Sequence, residues 1–128
     1  MSLHNKSSLL LDLKRNRQNL FLMLQHCRDS NATCTAIAQI PAAIKQQLSL
    51  EENISAQLNF PLPLPHLEQH QEITRQIDDL AHRYAHDKIS KSDFLMLLDA
   101  YFYGHFLGYD QQHFLDLCRE LDAADIAG

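Results

Sequence analysis

Tryptophan is absent from the 128 residues, glycine occurs three times and proline four times. Few helix breakers and a 45% hydrophobic content favour a helical chain with a real core. There is no glycine-rich phosphate loop and no basic run. The formal net charge is −5 and the acids are scattered, which argues against a nucleic-acid or acidic-membrane partner. The three cysteines, Cys27, Cys34 and Cys118, are odd in number and form no C-x-x-C pair. That argues against a disulfide framework or a thiolate zinc site and fits a reduced, cytoplasmic setting. No apolar run is long enough to span a membrane. Leu9-Leu10-Leu11 is too short for a signal segment and is followed at once by Asp12, Lys14 and Arg15. No internal repeat is visible, and the length fits a single domain over 1–128.

Four apolar stripes can be read in alternating three- and four-residue steps. The first is Leu10, Leu13, Arg17, Leu20, Leu24, Cys27. The second is Ile37, Ile40, Ile44, Gln47, Glu51, Ile54, Leu58. The third is His66, His70, Ile73, Ile77, Leu80, Tyr84, and the fourth begins Phe94, Leu98, Tyr101, His105. Such steps mark the buried seam of an amphipathic helix. The first break falls between Asp29 and Thr33. The second spans Asn59 to Pro65, whose prolines place the next helix start near His66. The third spans Asp87 to Asp93, with Ser90 or Ser92 as N-cap. Pro41 either begins the second helix or kinks it. Short connections make neighbours antiparallel. The predicted fold is therefore all-α, an antiparallel up-down-up-down four-helix bundle.

The seams carry polar residues where apolar ones belong: Arg17, Gln47, Glu51, His66, His70 and His105, with Asp110 close behind. Burying such groups is costly unless they are paired or ligated. His66 and His70 form H-x3-H, so both rings point the same way from one helix. His105 and Asp110 form H-x4-D. A five-residue step turns an α-helix by ~500°, about 140° off the starting direction. The apolar residues after it, Phe114, Leu117 and Leu121, continue in step with Asp110 rather than His105. Either the aspartate reaches around, or a π-bulge turns it inward. Metal sites in four-helix bundles are built from inward His and carboxylate side chains in this way.

From about Gln47 to Asp110 the chain resembles the hemerythrin-like family, bacterial single-domain hemerythrins in particular. Gln47-Leu-Ser-Leu-Glu51-Glu52 stands where the family has H-F-x-x-E-E. Phe60-Pro61 stands for its Tyr-Pro, at the family's distance from His66. The H-x3-H and H-x4-D motifs follow. In that family two irons share bridging carboxylates. The resemblance implies that His66, His70 and His105 ligate one iron and that Glu51 and Asp110 bridge. The second iron's histidines are replaced, one by Gln47 and the other by Arg17, where Arg17-Gln-Asn-Leu-Phe21 matches H-K-x-L-F.

One metal ion or none is therefore expected rather than a di-iron pair. Iron is the first choice, and zinc or manganese also suits three imidazoles with two carboxylates. Arginine stays protonated and cannot ligate. Arg17 is expected instead to hydrogen-bond Glu51 or Asp110 in place of the second ion, with Gln47 donating its amide.

The implied function is binding, handling or sensing of a small diatomic ligand (oxygen or NO) or of the metal itself. Nothing in the chain reads as an output domain, so sensing implies a protein partner. A metal-free regulatory or interaction bundle is the alternative, and a mononuclear-metal redox enzyme the second. The chain offers no nucleophile or general base of its own, so it does not read as an enzyme.

The remaining candidates have bland readings. His82 and His86 fall on the outer face, as does Asp78-Asp79. His113, His26 and His4 lack partners at a supporting spacing. Tyr101, Phe102 and Leu48 are expected around the pocket, and Cys27 and Cys118 to pack as small apolar residues.

Overall fold

The computed structural model describes residues 3–29 and 33–127. Within them every regular element is a helix: α1 (Leu3–Asp29), a short α2 (Cys34–Ala38), α3 (Ile40–Gln57), α4 (Leu64–Ala85), α5 (Lys91–His105), a π-helical turn (Phe106–Asp110) and α6 (Gln111–Ala127). The last three run on without a break. Of the first predicted connection, residues 30–32 lie outside the described residues.

The helix ends follow the residues that make them. Thr33 caps α2, its side chain accepting from Ala36 N. Pro41 sits in the first turn of α3, where its missing N–H has no intrahelical role, so the helix begins there and is not kinked by it. Asn59 (φ 58°) and Asp87 (φ 54°) adopt the left-handed conformation that closes α3 and α4. In each case the next residue donates back across the last turn, Phe60 N to Ser55 O at 3.0 Å and Lys88 N to Arg83 O at 2.8 Å. Ser90, rather than Ser92, caps α5, its Oγ accepting from Asp93 N at 3.1 Å.

Two apolar clusters form the core. The larger joins Leu20, Leu24 and Cys27 of α1, Ile40, Ile44 and Leu48 of α3, Ile73, Ile77 and Leu80 of α4, and Phe94, Leu98 and Phe102 of α5. The smaller joins Leu10 and Leu13 of α1, Ile54 and Leu58 of α3, and Leu117 and Leu121 of α6. Each fully buried Leu, Ile or Phe contributes about 1.5–3 kcal/mol of transfer free energy. The buried polar side chains occupy the stretch between the clusters: Arg17, Gln47, Glu51, Ser55, His66, His70, His105, Asp110 and His113. One position of the fourth stripe differs from the sequence reading. Phe102 is fully buried, whereas Tyr101 packs only partly against the cluster. The seam there steps by four residues from Leu98.

Candidate metal centre

α3 supplies Glu51, α4 supplies His66 and His70 from its first two turns, α5 ends on His105, and the π-helical turn ends on Asp110. The wider turn answers the phase problem in H-x4-D. One extra residue brings Asp110 round to the face of His105 and leaves α6 in step with it. His105 Nε2 lies 2.7 Å from Asp110 Oδ1 as a result.

All five side chains are buried, and each offers a ligand atom within 4.8 Å of the others. His66 Nε2 is 3.1 Å from Asp110 Oδ1 and 3.4 Å from His105 Nε2. His70 Nε2 is 3.1 Å from His105 Nε2 and 3.3 Å from Glu51 Oε2. Both Glu51 oxygens lie 3.4 Å from His105 Nε2. An imidazole nitrogen carries one proton or one lone pair. His105 Nε2 faces five N and O atoms at these distances, more than one proton can serve. A cation at the centre serves them all. Metal–ligand bonds of 2.0–2.2 Å set neighbouring donors roughly 2.8–3.6 Å apart, close to the spacing observed. Asp110 Oδ2 is also buried without a hydrogen-bond partner. The residues present therefore fit a metal ion, and the cluster can hold one.

The electrostatics of the metal-free cluster show how tightly the groups are coupled. Burial pushes the Glu51 carboxyl up, and with the adjacent Asp110 brings it to about 7. Burial works against the charge of His105, but its hydrogen bonds with Asp110 and Glu51 outweigh this and raise it to about 9. Burial likewise opposes ionisation of Asp110, yet hydrogen bonds with Glu51, His105 and His66 hold it well below the usual carboxylate range. His66 is lowered, chiefly by burial. Without a metal, then, a protonated His105 faces an ionised Asp110, and Glu51 keeps its proton below about pH 7.

The walls are aromatic. Tyr109 stacks on His105 with centroids 5.7 Å apart and tilts over His66 at 5.3 Å. On the α3–α4 side, His70 and Glu52 line a surface groove of about 570 Å³. Glu52 Oε2 is 3.4 Å from His70 Nδ1, close but outside hydrogen-bond geometry.

Two residues expected to replace the second ion are placed differently from the expectation. Arg17 is buried, but its guanidinium lies over the rings of Phe106 (4.6 Å) and Phe114 (5.5 Å). Among the described residues it makes no hydrogen bond or ion pair with Glu51 or Asp110. The charges of both reach it through space, and burial still lowers its pKa. The flanking aromatic faces, not the carboxylates, capture the planar group. Gln47 is fully buried, and its Oε1 accepts a hydrogen bond from Asn16 Nδ2 of α1. Its Nε2 has no partner, so the amide is not donated to a carboxylate.

His113 overturns its bland reading. It is buried, its Nε2 lies 2.7 Å from Ser55 Oγ, and its ring stacks on Phe60 and meets the His66 ring edge-on. Burial, and the neighbouring His66, lower it to about 4. The π-helical turn is again the cause, because it carries the position three residues past Asp110 inward. The seam read in step with Asp110 took in Phe114, Leu117 and Leu121 but passed over His113, which shares that buried face.

The outer-face candidates behave as expected. His82 and His86 are exposed and touch each other. Asp78 pairs with Lys45, and Asp79 with Arg83, at the surface. Phe102, expected around the pocket, belongs instead with Cys27 to the larger apolar cluster, as does Leu48, which also borders the groove beside His70; Cys118 packs against the smaller cluster. His26 is exposed, and the side chain of His4 lies outside the described residues. No helix among the described residues is long and apolar enough to cross a membrane. No family model, curated protein or solved structure matches this chain.

Proposed function

We propose that this chain is a hemerythrin-like protein that holds one non-haem metal ion between His66, His70, His105, Glu51 and Asp110, and uses it to bind, handle or sense a small ligand such as oxygen or NO. The observation that carries the metal is the crowding around His105 Nε2, whose five close N and O neighbours exceed what one proton can satisfy. Iron fits this mixed donor set, with zinc and manganese as the other candidates.

The up-down-up-down arrangement belongs to the same reading. α1 passes from the smaller apolar cluster to the larger, α3 from larger to smaller, and α4 leads from the site into the larger. The α5–α6 run returns to the smaller one. That alternation is the order an antiparallel bundle produces.

One ion is favoured over two because Arg17 and Gln47 stand in for the family's two further histidines. An iron ion supplies reversible one-electron redox change and a coordination position for a small ligand. The protein's part is to hold the donors in place and keep water out. The two apolar clusters and the Tyr109 ring do this.

Metal analysis of protein purified without chelator tests the proposal. One ion per chain, lost on His70→Ala substitution, is expected. Metal that survives the substitution contradicts the ligand assignment.

A further inference from the structure

His70 stands in the wall between the buried cluster and the surface groove on the α3–α4 side. Its Nε2 faces inward, 3.3 Å from Glu51 Oε2. Its Nδ1 lies 3.4 Å from Glu52 Oε2. Each ring nitrogen is thus matched with one of two consecutive glutamates of α3. Neighbours on a helix point ~100° apart, so Glu51 reaches the cluster and Glu52 the groove. Glu51 is buried, whereas the Glu52 side chain is 43% exposed and lines the groove together with His70. The His70 side chain is only 4% exposed, and its Nδ1 is buried without a hydrogen-bond partner. A buried polar atom in that state is costly unless water or an ion completes it.

The charges of the groove leave Glu52 available. Lys45 is held by Asp78 at 2.7 Å, and Arg75 by Glu72. Among the described residues Glu52 has no Lys or Arg partner. The spacing of the outer pair also suits a cation. For bonds of 2.0–2.2 Å, neighbouring donors of one ion sit roughly 2.8–3.6 Å apart. An imidazole nitrogen with a carboxylate oxygen is a donor pair for a divalent transition metal. Two protein donors leave the other positions to water, so an ion there is held loosely and can move on.

We propose that the α3–α4 groove is the loading port of the cluster, with Glu52 and His70 Nδ1 as an outer docking site for a hydrated divalent cation. The inference rests on the metal reading above and adds the route by which the ion enters. Loading is a ligand exchange. Glu52 and Nδ1 replace two waters, and the imidazole then turns aside to let the ion pass. The inner pair, Glu51 and Nε2 of the same ring, takes over from Glu52 and Nδ1. The single imidazole proton sits on Nε2 while Nδ1 holds the ion. It sits on Nδ1, facing Glu52, once Nε2 does. Glu52 is therefore a capture residue, which sets how fast the cluster fills and not how tightly it holds.

The test follows cobalt(II) uptake by the chelator-stripped full chain in a stopped-flow spectrophotometer, because cobalt(II) absorbs more strongly once imidazole and carboxylate replace its water. Content and affinity at equilibrium are measured on the same samples by chelator competition. At low ionic strength Glu52→Gln should load about tenfold more slowly than the parent. It should still reach one ion per chain, with affinity changed by less than the loading rate. Release to excess chelator should slow in parallel, since the ion leaves by the same port. Glu52→Asp, which keeps the charge, should fall between. Added salt should slow the parent and narrow its lead over Glu52→Gln. Asp79→Asn removes an exposed carboxylate outside the groove lining and should load like the parent. Loading of Glu52→Gln at the parental rate overturns the port. So does a loss of affinity at an unchanged loading rate, which would make Glu52 only a prop for His70. Failure of the metal reading shows separately, at equilibrium: a parent that takes up no cobalt overturns both.

Discussion

Asp110 Oδ1 lies 2.7 Å from His105 Nε2, although the two residues are five apart on one continuous helix. Only the π-helical turn between them allows this. The contact ties the aspartate to the imidazole that also faces His66, His70 and Glu51, and it makes His105 the centre of the cluster. His105→Ala and His70→Ala should each weaken metal binding by more than tenfold. His82→Ala, on the exposed face, should leave it unchanged. Competition with a chromogenic chelator measures all three. A variant of His105 with parental affinity would remove the residue from the site.

The protonation pattern gives a pH dependence of opposite sign with and without metal. In the metal-free fold His105 is raised to about 9. Its stabilising contribution is complete below its unfolded value near 6.5 and is lost as pH rises through about 9. Glu51, raised to about 7, likewise favours the metal-free fold at lower pH and ceases to do so as pH rises through 7. His113, lowered to about 4, destabilises the fold only as pH falls below about 6.5, outside this window. The metal-free protein should thus lose stability between pH 7 and 9. Metal binding needs these groups deprotonated, so it should tighten over the same range and release roughly one to two protons per ion at pH 7. Denaturation midpoints with and without chelator, and calorimetry in buffers of differing ionisation enthalpy, check both statements. Parallel pH profiles for the two forms would refute them.

Arg17 contributes to stability through its aromatic neighbours. Arg17→Ala removes two cation–π contacts and the apolar stem that packs with them, and should cost about 1–3 kcal/mol. Arg17→Met should cost less, since it keeps the packing. Urea titration at neutral pH distinguishes them. Coincident curves for parent and Arg17→Ala would contradict the buried placement.

His113 anchors the end of the site. Substitution by alanine leaves the buried Ser55 hydroxyl without its 2.7 Å partner and removes a ring stacked on Phe60. A loss of about 1–3 kcal/mol is expected. Ser55→Ala together with His113→Phe removes both polar partners and keeps an aromatic ring, so it should recover most of that loss. A double variant no more stable than His113→Ala would show that the hydrogen bond is not the cause.

Much of this was legible in the amino-acid order, because helix periodicity constrains which residues share a face. Each polar residue expected on a seam is buried, and the one break in phase, after His105, is met by a π-helical turn. What periodicity cannot give is the aim of a long side chain or a partner across the bundle. Arg17 lay on the correct stripe, yet its guanidinium settles on Phe106 and Phe114, residues of the helix that the bulge re-registers. Asn16 is off the seam of α1, and its bond to Gln47 joins positions 31 apart. His113 looked isolated because its partners, Ser55 and Phe60, lie on and just after another helix, which periodicity along one helix does not reveal.

In the proposed function the buried His66, His70, His105, Glu51 and Asp110 side chains hold a single metal ion. Elemental analysis of protein purified in chelator-free buffer, alongside accurate protein quantitation, tests it most directly. One ion per chain, released by His70→Ala, is expected. Two ions per chain, or none after incubation with ferrous iron, zinc and manganese in turn, would contradict it.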